Sequence, residues 1–63
     1  MINEGNVKKI LEDIRDYYPF AKSVNERDYA AKLGFELGIR HGSQYPLEDI
    51  SEAVKRYLEE IRE

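Results

Sequence analysis

With 63 residues, 37% of them charged and none a cysteine, the chain has room for one domain and must close its core without a disulfide or a thiolate metal site. Thirteen acidic against ten basic residues leave a net charge of -3, which argues against a nucleic-acid partner held through its phosphates. No apolar run reaches the roughly 18 residues of a membrane span, and MINEGNVKKI lacks the apolar core of a secretory signal, so the expected location is cytoplasmic.

Val7, Ile10, Leu11, Ile14, Tyr17 and Tyr18 recur at helical spacing. They fall within an arc of about 120°, which predicts an amphipathic first helix over about residues 6–18. Asn3 or Asn6 is placed to cap its start, and Pro19 disfavours helical geometry at the residue before it. Lys8, Lys9, Glu12, Asp13, Arg15 and Asp16 fall outside the arc and read as a solvated surface. Phe20, Ala21 and Lys22 then form a connector.

Ser23 with Glu26 fits a Ser-x-x-Glu capping box, with Asn25 and Asp28 as a weaker alternative. Either predicts a second helix over about residues 24–41, which Gly42 is expected to end in left-handed geometry. Inside it Ala30, Gly34, Gly38 and Gly42 repeat every four residues, along one helical face. Gly34 and Gly38 each cost about 0.8–1 kcal/mol relative to alanine, a loss that close approach of another helix would recover.

Ala30, Leu33, Leu37 and His41 occupy one flank of this helix, with the glycines beside them. Ala31, Phe35 and Ile39 widen the apolar arc to about 240°, whereas a helix in a closed bundle needs a stripe somewhat over 100° wide. The second helix therefore reads as the buried, central element. The surplus flank, Ala31, Gly34, Phe35, Gly38 and Ile39, points to a homodimer, because under two-fold symmetry one patch serves both copies. Tyr29, Lys32, Glu36 and Arg40 make the remaining polar strip.

Pro46 suits the first turn of a third helix over about residues 46–61, with Glu48 and Asp49 near its positive end. Leu47, Ile50, Val54, Tyr57, Leu58 and Ile61 form its apolar arc, while Glu59, Glu60 and Glu63 oppose the dipole and predict fraying. The expected fold is all-α: one three-helix domain over 1–63, each helix antiparallel to its neighbour in sequence, completed by homodimerisation through the second helix.

Arg40, His41 and Tyr45, with Ser43, form the one enzyme-like polar cluster, at a helix end where His41 also suits a C-terminal cap. A small enzyme or enzyme subunit would use His41 with Arg40, Tyr45 or Glu36. A nucleic-acid-binding protein would use Lys8, Lys9 and Arg15, with tyrosine rings for stacking. Tyr17, Tyr18 and Tyr57 instead belong to core stripes, and a helix-turn-helix arrangement would place Glu48, Asp49 and Glu52 at the start of the recognition helix. The carboxylate pairs Glu12 with Asp16 and Glu48 with Glu52 read as solvated charge, and no metal, cofactor or catalytic motif stands in the sequence. What remains is a soluble helical interaction or regulatory module that self-associates and docks on a protein partner through a helical face.

Overall fold

In the computed structural model, which describes residues 1–62, the three helices are α1 (Glu4–Tyr17), α2 (Glu26–His41) and α3 (Leu47–Ile61), with no strand among the described residues. Asn3 begins α1 in extended geometry, its side-chain oxygen accepting the Asn6 N–H at 3.2 Å. At the other end the Tyr18 N–H closes on the Ile14 carbonyl, and Pro19 prevents continuation. Asn25, not Ser23, caps α2, accepting from the N–H groups of Arg27 at 2.8 Å and Asp28 at 3.3 Å. The helix therefore starts at Glu26, and the Ser-x-x-Glu box is not formed.

Gly42 departs from expectation in its backbone. It keeps right-handed geometry, φ -60° and ψ -24°, because the chain winds on through a turn in which the N–H groups of Gln44 and Tyr45 both reach the His41 carbonyl. Glycine is required there by space: a Cβ would fall 2.2 Å from the Gly38 carbonyl oxygen. Pro46 then precedes α3 as its cap residue rather than entering the first turn.

The central helix is α3, which corrects the expectation that α2 would be. Both other helices lie against α3, and no Cα of α1 comes within 8 Å of one of α2. Asn3 bonds to Asp49 and Arg15 to Glu60, so α1 and α3 run in the same direction. Glu26 at the start of α2 meets Arg62 just beyond α3, so those two run oppositely. The core joins Val7, Ile10 and Ile14 of α1, Leu33 and Leu37 of α2, and Ile50, Ala53 and Tyr57 of α3.

The connector after α1 is part of this packing. Phe20 sits edge-on to Tyr29 with ring centroids 5.0 Å apart, and its N–H donates to the Tyr57 hydroxyl at 2.9 Å. Tyr29, assigned to the polar strip, is thus half-buried, and its hydroxyl donates to the Tyr18 carbonyl. Tyr17, assigned to the core, sits at the margin of its arc and lies 62% exposed, while Leu47 stands exposed in the first turn of α3. The end of α3 is tied down where fraying was expected: Glu60 accepts two hydrogen bonds from Arg15. Glu63 lies outside the described residues.

Candidate functional site

The two sides of α2 meet different surroundings. Leu33, Leu37 and His41, spaced by four, are buried, and Ala30 beside them is half-buried. Next to this row Gly34 is half-buried and Gly38 exposed, and on the far side Ala31 is exposed and Phe35 and Ile39 are each 68% exposed. A Cβ built on Gly34 or Gly38 meets nothing within 4 Å. Neither glycine is needed for packing within the chain.

Along the edge of this face run Asp28, Lys32, Glu36 and Arg40, again spaced by four and alternating in sign. The first three join no ion pair among the described residues, whereas Arg40 lies 3.5 Å from Asp13 and 4.8 Å from the centre of the Tyr17 ring. Beside that row is a groove of about 280 Å³, walled by Tyr18, Pro19 and Val24 on one side and by Asp28, Lys32, Leu33 and Glu36 on the other.

The polar cluster is only partly as the sequence placed it. His41 and Tyr45 have ring centroids 5.4 Å apart, and Arg40 is adjacent, but the partner that Arg40 and His41 share is Asp13 of α1. Its Oδ2 lies 2.7 Å from His41 Nε2, off the line a hydrogen bond requires, and Nδ1 has no hydrogen-bond partner. A carboxylate therefore stands beside the ring without a hydrogen bond to it. His41 is only 8% exposed, and Glu36, its other proposed associate, lines the groove on a different side of α2. His41 serves as a buried side chain in line with Leu33 and Leu37 rather than as an exposed helix cap.

Asp49 is the charged residue that sequence reasoning misplaced most. It is 1% exposed, accepting from the Asn6 side-chain amide at 3.0 Å and the Asn3 N–H at 2.9 Å, so it fastens the start of α3 to the start of α1. These bonds, that of Asn6 first, hold its carboxyl below the usual range. A signal was available, because Asp49, Ala53 and Tyr57 are spaced by four along one face. No comparable signal pointed to Asp13.

The basic side of α1 is partly neutralised by the fold. Lys8 and Lys9 are exposed, but Arg15 is held by Glu60, which raises the guanidinium's affinity for its proton and lowers that of the carboxyl. Arg56 bridges Glu4 and Glu52, lowering the Glu4 carboxyl in the same way. The Glu48–Glu52 pair is thereby broken up as a cation site, since Glu52 faces Arg56. Burial, then the neighbouring Tyr57, pushes the Tyr29 phenol up.

No helix among the described residues is long and apolar enough to cross a membrane. No protein-family model, curated protein or solved structure matches the chain.

Proposed function

We propose that the chain is a small helical interaction module whose occupant on the outer face of α2 is a second copy of itself. One observation carries this reading: two glycines in the interior of α2 have nothing within 4 Å above them, while Phe35 and Ile39 beside them stand exposed. Each glycine lowers helix stability by about 0.8–1 kcal/mol relative to alanine, and packing inside the chain returns nothing for it. A closely approaching helix from outside would return it. A core of this size supplies little surplus stability, which favours association as a source of further burial.

Sedimentation over a series of micromolar concentrations tests the reading. The expected result is a concentration-dependent dimer that Gly34→Leu and Gly38→Leu convert to a helical monomer, since the space above both glycines is open in the single chain. A chain that stays monomeric across the series overturns it.

A further inference from the structure

Three rows of side chains run along the outer side of α2, and two of them, the small and the charged, are symmetric about the same point. Ala30, Gly34 and Gly38 are small; Ala31, Phe35 and Ile39 are apolar; Asp28, Lys32, Glu36 and Arg40 alternate in sign. Reversing the helix about Gly34 brings Ala30 opposite Gly38 and leaves Gly34 opposite itself. The same reversal brings Asp28 opposite Arg40 and Lys32 opposite Glu36. Residues 31, 35 and 39 then interleave, with two Phe35 rings flanking the axis.

We infer that two copies of the chain pair antiparallel through α2, on a two-fold axis that passes at Gly34. This rests on the self-association proposed above and specifies its geometry. On one side of the contact Gly34 faces Gly34 and Ala30 faces Gly38, where the missing side chains let the two backbones come close. On the other side each copy contributes Lys32 to Glu36 and Asp28 to Arg40, four ion pairs in all by symmetry. Lys32, Glu36 and Asp28 are free to make them, since none joins an ion pair among the described residues. A parallel two-fold pair would instead set the charged row of each copy against the small row of the other and leave these charges without partners of opposite sign.

Because the chain has no cysteine, single-cysteine variants report the arrangement cleanly. Under oxidation Gly34→Cys should cross-link to itself, because the two residues face each other at the axis. Two copies of Gly38→Cys stand about 12 Å apart along the helices, beyond the roughly 7 Å limit of a disulfide, and should not cross-link. Gly38→Cys mixed with Ala30→Cys should. In parallel, Lys32→Glu should weaken dimerisation about tenfold by turning two attractions into repulsions, and Lys32→Glu with Glu36→Lys should restore it.

If Gly38→Cys cross-links to itself as readily as Gly34→Cys, or if the double charge exchange restores nothing, while sedimentation still shows a dimer, then the antiparallel arrangement is wrong and self-association stands. If sedimentation shows only monomer, both fall.

Discussion

Helices α2 and α3 are nearly equal in length, 16 and 15 residues, yet they stand in opposite relations to the rest of the molecule. α3 confines its buried residues to one stripe, Asp49, Ile50, Ala53 and Tyr57, and both other helices pack on it. α2 carries the wider apolar arc and brings its backbone close to one neighbour only, leaving Phe35 and Ile39 in water. Arc width therefore measures how many surfaces a helix offers, not how central it is. Centrality in this fold falls to the helix with a small residue, Ala53, completely buried within its stripe.

The contrast can be broken most forcefully at the inner side of α2. Leu37→Ala removes a fully buried side chain and should cost about 2–5 kcal/mol, comparable to the whole stability of a domain this small. Thermal melts followed by circular dichroism should show the variant largely unfolded near room temperature. A cooperative transition at the wild-type temperature would mean that α2 is not anchored through Leu37.

At the start of α3 the expected effect depends on pH. The folded-state carboxyls of Asp49, Glu4 and Glu60 lie below their usual values, so each contributes stability that is complete above the unfolded value near pH 4 and is lost as pH falls through the folded value. Denaturant midpoints should accordingly be level from about pH 7 to 5 and decline below about pH 4. Asp49→Asn should lower the midpoint at neutral pH and flatten the acidic decline, because Asn3 and Asn6 donate to different oxygens of Asp49 and the amide replaces one of them with an NH2 group that cannot accept. A variant with the wild-type midpoint and slope would show that Asp49 does not fasten the two helix starts.

The smallest effect should have the opposite sign. Gly38→Ala, examined at a concentration where the chain is monomeric, should raise stability by about 1 kcal/mol, because the added methyl enters open space and the helix gains propensity. A loss of stability in the monomer would reveal an internal contact at Gly38 and weaken the case for an external one.

Helix positions were legible because apolar residues recur at the helical period; α1, α2 and α3 begin and end within two residues of where that period placed them. The choice between Ser23 and Asn25 as a cap was not decided by pattern, since both precede an acidic residue by three. The order of packing was also illegible: period shows that a side faces something, not which helix it faces. Charges misled for a related reason. Asp13 and Asp49 resembled the solvated residues around them, and their partners lie 28 and 46 positions away in the chain. The inner row of α2, ending in His41, was evident from spacing, whereas the carboxylate beside His41 was not.

That the hub of the bundle is its third helix has a consequence for synthesis. As the chain emerges at about 5–20 residues per second, α1 and α2 appear first, and their backbones have no direct contact to settle into. Their apolar stripes stay uncovered for a few seconds until Ile50, Ala53 and Tyr57 arrive. Folding on the ribosome is therefore held back until the third helix is made, and during that wait the nascent chain depends on its high charge to stay apart from its neighbours.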